Sequence, residues 1–250
     1  RPHLFVQPLE LNAGGTARDL LAGSQLVQGA GFGGQLGNGG EDLAAAWTPD
    51  GNGVVFAATT NRGDWAHGDV VQALWLVSAN GAEPQRLTDG RDDYATPRFS
   101  PDGKTLYARM TPTNEKTFNN SRLVSWVWPR SGATAARVVT GGADHDVGTY
   151  GFSPDSRTVF FLAEDAGHMR LFRAPASGGH EQEVAEFNPA HHAKAGRMLG
   201  SLDNVLAEVV EGNRAFKTSA FPHGTSAAAV NGCWQCHGGE VKMLQNKRPD

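Results

Sequence analysis

Cysteine is scarce in this sequence: there are two in 250 residues. That excludes a disulfide framework as the main support of the fold, and it excludes a closed four-cysteine zinc site. Charge is also sparse, at 19% of residues with a net charge of −4. So weak and slightly acidic a balance offers no electrostatic footprint for nucleic acid. No run of 18 apolar residues occurs, so no membrane-spanning helix is expected. Position 1 is Arg1 rather than Met, with no basic-apolar leader after it. The expectation is a removed signal peptide or a piece of a longer protein.

Turn formers are abundant instead. Gly numbers 32 and Pro 13, beside 39% hydrophobic residues. That mixture predicts many short strands joined by tight turns, in one large all-β domain or two smaller ones. Three segments repeat: Trp47-Thr48-Pro49-Asp50-Gly51, Phe99-Ser100-Pro101-Asp102-Gly103 and Phe152-Ser153-Pro154-Asp155-Ser156. Their prolines are spaced by 52 and then 53 residues. Each Pro-Asp pair is a turn signal, because Pro sets φ at the first corner and Asp tolerates the next.

A strand-like run follows each turn: Val54 to Thr59, Thr105 to Met110, and Thr158 to Ala163. A second comes later, at Ala73 to Val77, Leu123 to Trp128, and Arg170 to Arg173. A Gly-bearing turn then leads to a last run, at Gln85 to Thr88, Ala136 to Thr140, and Glu181 to Ala185. With the apolar residues ahead of each Pro-Asp as the first strand, every unit reads as four antiparallel strands. Such units in series predict a β-propeller. His3 to Leu9 and Ala17 to Ala22 read as half a unit. They would be completed by Asn204 to Val210 and Arg214 to Ala220 if the ring closes at about four blades, the low end of the ~4–8 known. Otherwise the chain is an arc of a larger ring. The domain reading is therefore blades over 1–221 and a C-terminal segment over 222–250.

Between the repeats, the Gly-rich stretch Gln28 to Gly40 reads as a mobile loop, and Asn188 to Gly200 as a connection between blades. Asp144-His145-Asp146 reads as a solvated turn, and Asp92-Asp93 and Glu164-Asp165 as loop charge. Trp126 and Trp128 share a strand face at period 2, which predicts core or inter-blade packing.

Both cysteines fall in one stretch, Cys233-Trp234-Gln235-Cys236-His237. C-x-x-C-H is the attachment signature of haem c. Cys233 and Cys236 at this spacing can form thioethers to the two vinyl groups of one porphyrin, and His237 offers a proximal nitrogen to the iron. A zinc site would need further ligands, and a thioredoxin-like pair would need a βαβ setting. Candidates for the sixth iron position are His223, His192 and Met198. Met243, six residues past His237, does not easily reach the opposite ring face. Covalent attachment to this motif takes place outside the bacterial cytoplasm, so a periplasmic or otherwise exported protein is expected.

The repeats resemble those of TolB-like periplasmic propellers and of the propeller domain of prolyl-oligopeptidase-type serine peptidases. The likeness is carried by Leu87-Thr88, Pro97 to Lys104, Phe152 to Ser156, and Leu171 to Pro175 with Gly178-Gly179. It covers roughly 40–187 and implies the propeller fold. A peptidase of that type would need a Gly-x-Ser-x-Gly elbow within an α/β-hydrolase domain. The nearest match is Gly224-Thr225-Ser226-Ala227-Ala228, so no catalytic residue is assigned. The tail from Asn231 to Lys242 resembles the haem-binding stretches of multihaem cytochromes.

The functional expectation is an exported c-type cytochrome. Its haem on a propeller scaffold would pass electrons to a redox partner protein or within a larger assembly. Two alternatives stand beside it. One is a haem enzyme acting on a small molecule such as a nitrogen oxide. The other is a peptidase-derived or TolB-like propeller serving as a binding module with no catalysis of its own.

Overall fold

The computed structural model describes residues 1–7, 16–37, 40–113, 118–129, 135–141 and 144–184. The chain divides into two compact units, Arg1–Gly141 and Gly142–Asp250. In the first unit, β1 (Phe5–Val6) pairs antiparallel with β2 (Arg18–Asp19). A single helical turn, α1 (Gln25–Gln28), follows, capped by the Ser24 hydroxyl, which accepts the Val27 N–H. The Glu83 carboxylate accepts the N–H groups of Gln25 and Leu26 at 2.8 and 3.1 Å, so donors left over at the helix start are met from 57 and 58 residues away. Next come β3 (Gln35–Gly37) and β4 (Gly40–Asp42), paired as a hairpin.

Blade A is β5 (Ala45–Trp47), β6 (Gly53–Thr59), β7 (Gln72–Ser78) and β8 (Gln85–Arg86). Blade B is β9 (Asp93–Phe99), β10 (Thr105–Thr111), β11 (Arg122–Val127) and β12 (Arg137–Val138). In the second unit, blade C is β13 (Val147–Phe152), β14 (Thr158–Asp165), β15 (His168–Pro175) and β16 (Gln182–Glu183). Each is a four-stranded antiparallel meander in sequence order, so the architecture is all-β and built of propeller-type blades.

The three Pro-Asp turns share one set of hydrogen bonds, which explains the residue types. In blade B the Ser100 hydroxyl donates to Asp102 at 2.6 Å and accepts the Thr105 N–H at 3.1 Å, and Asp102 accepts the Lys104 N–H at 3.1 Å. Thr48, Asp50, Asn52 and Gly53 repeat this in blade A, and Ser153, Asp155, Arg157 and Thr158 in blade C. The hydroxyl and the carboxylate thus satisfy backbone donors that the strand pairing leaves over. The carboxyls of Asp50, Asp102 and Asp155 are held below the usual carboxylate range, first by the hydroxyl and then by the backbone N–H.

Every residue of β6 is buried, because both of its faces are covered. Val54, Phe56 and Ala58 pack with Leu20, Leu21, Leu26 and Phe32. Val55 and Ala57 point the other way, to Leu74, Tyr94, Leu106, Ala108, Val124 and Trp126. A fully buried Val or Phe contributes about 1.5–3 kcal/mol, so this strand anchors the first unit. Trp126 lies in that second cluster with Trp128 packed against it, as their shared face predicts.

Parts of the chain depart from expectation. The Gly-rich stretch is not simply a loop. Phe32 is buried, Gly33 and Thr59 exchange backbone hydrogen bonds at 3.2 and 2.9 Å, and the hairpin β3–β4 follows. Its glycines permit close approach: a Cβ at Gly31 would overlap the Thr60 carbonyl, and one at Gly34 the Asp42 carbonyl. The first strand of blade B bulges between Ala95 and Arg98, where Thr96 takes φ +48° and Pro97 follows. The two N-terminal runs pair with each other as expected, over fewer residues. Their proposed partners, Asn204 to Val210 and Arg214 to Ala220, lie outside the described residues.

Candidate binding cleft

The register of blade B places Tyr94, Leu106, Ala108, Met110, Val124, Trp126 and Val138 on one sheet face. Its inner part packs on Val55, Ala57 and Leu74 of blade A. On the blade A side, the outer strand β8 is only Gln85–Arg86. Beyond it, Leu87 and Thr88 each bond once more to Leu74: the Leu87 N–H donates to the Leu74 carbonyl at 2.7 Å, and the Thr88 hydroxyl accepts the Leu74 N–H at 3.0 Å. The chain then turns away at Asp89-Gly90, Gly90 having φ +72°.

A hollow of about 410 Å³ opens there. Its apolar lining is Leu87, Tyr94, Met110, Val124, Trp126, Ala135, Ala136 and Val138, and its polar lining is Thr88, Asp89 and Asp92. The Tyr94 and Trp126 rings sit 5.7 Å apart at 49°. Trp126 is only 4% exposed and serves as a floor rather than a protruding group. Asp89 accepts the Arg91 N–H at 3.1 Å and pairs with the Arg91 guanidinium at 3.5 Å, with side chains 59% and 87% exposed. Asp92 accepts the Thr113 N–H at 3.2 Å. A second hollow of about 300 Å³ is bordered by Asp50, Glu83, Leu76 and Trp128, where both acids already serve the Thr48 turn and helix α1.

Asp93 lies at the seam between the two blades. It accepts the Gln72 N–H of blade A at 2.7 Å, which ties β9 to β7. Burial pushes its carboxyl up, opposed by that hydrogen bond and by the positive charge of Arg109. Gln72 Oε1 and Arg109 Nε are buried with no hydrogen-bond partner among the described residues. The expectation of plain loop charge is therefore corrected at Asp93, which is a half-buried strand residue at the seam of the two blades. Asp165, by contrast, pairs with Arg170 at 3.5 Å on a partly exposed strand end.

His145 also differs from a solvated turn. Its ring lies 4.3 Å from that of Phe172, and its Nδ1 meets the Glu181 carboxylate at 3.2 Å. No group of three or more His, Cys, Asp or Glu able to hold a metal ion occurs among the described residues. Cys233, Cys236 and His237, and the sixth-position candidates His223, His192 and Met198, all lie outside the described residues. Nothing in the spacing of the sequence points to Asp89, Asp92 or Met110. Their convergence depends on the packing of blade B against blade A.

No protein-family model matches the chain. It is similar to Dipeptidyl-peptidase 5 of Aspergillus fumigatus, at 26% identity over 159 residues that cover 59% of this chain and 22% of the relative. Dipeptidyl-peptidase 5 of Porphyromonas gingivalis is similar at 22% identity over 143 residues, covering 56% and 20%. The chain thus spans about a fifth of the length of the curated relatives it matches. Among solved structures, TolB from Acinetobacter baumannii aligns with a TM-score of 0.49 at 14% identity, covering 74% of this chain and 38% of that one.

Proposed function

We propose that the blades form a peptidase-type or TolB-like binding module, part of a longer protein, with no catalysis of its own. The observation that carries this reading is the use made of the polar groups in the repeats. The hydroxyl and carboxylate of each Pro-Asp turn are spent on backbone N–H groups, so they act as structural parts and not as nucleophile and base. The similarity to about a fifth of two dipeptidyl-peptidases supports the same reading, because a blade segment can be kept apart from any hydrolase domain. The experiment is hydrolysis of chromogenic dipeptidyl anilides by the purified chain. The expected result is no turnover above buffer; turnover abolished by Ser226→Ala would overturn the reading.

A second reading is favoured by one specific observation, the sequence Cys233-Trp234-Gln235-Cys236-His237. The donor set suits haem c: two thiols for thioether attachment and an imidazole nitrogen for the iron. Bound there, the haem would supply a one-electron redox centre, and the chain would be an exported electron-transfer protein with a redox partner. His223, His192 or Met198 would offer the sixth ligand. A pyridine haemochrome assay tests this on the chain matured in a host competent for cytochrome c. Covalent haem lost in Cys233→Ala and Cys236→Ala supports it, and no covalent haem in the parent chain rejects it.

A further inference from the structure

We propose that the cleft beside β8 binds a small organic cation carried on an apolar body. The Asp89 and Asp92 carboxylates would meet the charge, and the Trp126–Tyr94 floor would cover the body. This deepens the binding-module reading above and rests on it. The volume of about 410 Å³ lies within the ~300–1,000 Å³ usual for small-molecule sites.

The sign of the ligand follows from the lining. Among the described residues, the groups that carry charge at neutral pH are both carboxylates, and no Lys, Arg or His lines the hollow. Acidic groups over low-dielectric walls focus a negative potential, which repels an anion and attracts a cation. Neither carboxylate is committed to a strong partner. Asp89 holds Arg91 only through an exposed pair at 3.5 Å, of the kind that contributes little. Asp92 spends Oδ1 on the Thr113 N–H. The rest of the lining suits an apolar or aromatic body, since Met110, Tyr94 and Trp126 supply polarisable contacts.

The experiment is calorimetric titration of the full chain with four probes of similar size: phenethylamine, benzyltrimethylammonium, phenethyl alcohol and 3-phenylpropionate. Both cations are expected to bind at least about tenfold more tightly than the alcohol, and the carboxylate not to bind at concentrations up to about 10 mM. A preference for phenethylamine would identify the amine N–H groups as donors, and parity of the two cations would identify charge alone; either supports the cleft. In the double variant Asp89→Asn, Asp92→Asn the advantage of the cations should fall about tenfold. Asn keeps an acceptor for the Arg91 and Thr113 N–H groups, and far-UV circular dichroism confirms folding. Ala136→Trp, which fills the hollow, should abolish binding of both cations. Failure of both cations to bind, equal binding of alcohol and cation, or unchanged affinity in the double variant overturns the inference. These outcomes are separate from Ser226-dependent turnover, which would overturn the module reading itself.

Discussion

In blade B the turn from Ser100 to Thr105, and in blade C the turn from Ser153 to Thr158, are closed by the same hydroxyl, carboxylate and backbone bonds. The fourth position is Gly103 in one and Ser156 in the other, both left-handed, at φ +70° and +60°. The turn geometry is therefore imposed by the Ser-Asp pair and does not require glycine. What makes glycine necessary in blade B is a neighbour: a Cβ at Gly103 would lie 2.8 Å from the Cβ of Pro49 in the turn of blade A. At Gly51, the equivalent residue of blade A, nothing lies within 4 Å. In blades A and B one local motif thus meets two different surroundings.

Substitutions can break this comparison in a graded way. The largest effect is expected for Gly103→Ala, which combines left-handed strain with overlap on Pro49 and should destabilise by about 2–4 kcal/mol. Gly51→Ala should cost only the strain, about 1–2 kcal/mol. Urea unfolding midpoints check both, and equal losses would show that Pro49 yields freely. Ser100→Ala removes a buried hydroxyl that serves Asp102 and Thr105, so a loss of about 1–3 kcal/mol is expected by the same measurement.

A smaller change of opposite sign is expected for Ser156→Gly. Relief of strain outweighs the added freedom of the unfolded chain, for a gain of about 0.5–1 kcal/mol read as a higher midpoint. The smallest expected effect is a pH dependence with two signs. The carboxyls of Asp50, Asp102 and Asp155 lie below their ordinary 3.8 in the folded chain. Their contribution is present above about pH 4 and is lost as pH falls through the folded values. Asp93 is raised above 3.8, so its contribution is greatest in acid and declines as pH rises through its folded value. Asp93→Asn should flatten that decline without altering the acid limb, in unfolding midpoints taken across pH 3 to 7 (about the range where carboxyls titrate).

How far the chain is legible differs from residue to residue. Val54 to Thr59 and Thr105 to Met110 are readable as strands to within a residue, because β-branched and aromatic runs follow a turn whose signal is local. The pairing of Trp126 and Trp128 on one face follows from period 2 alone. Asp93 is not readable, since its sequence neighbourhood is polar and its hydrogen-bond partner, Gln72, belongs to another blade. His145 escapes a local reading for a similar reason: Glu181 and Phe172, which surround it, are 36 and 27 residues away. The cleft has no local signal at all.

Sequence alone determined the elements that depend on near neighbours. These are the repeating blade and the Ser/Thr-Pro-Asp turn that closes it. Tertiary structure decided which members of a repeated pattern become special. Gly103 is confined because Pro49 abuts it, Asp93 is half-buried where it accepts the Gln72 N–H, and Asp89 and Asp92 flank a hollow whose other walls come from β9 to β12. Turn chemistry acts over a few bonds and is written locally. Burial and cavity shape depend on surfaces brought together from distant parts of the chain, so they emerge only when the blades pack.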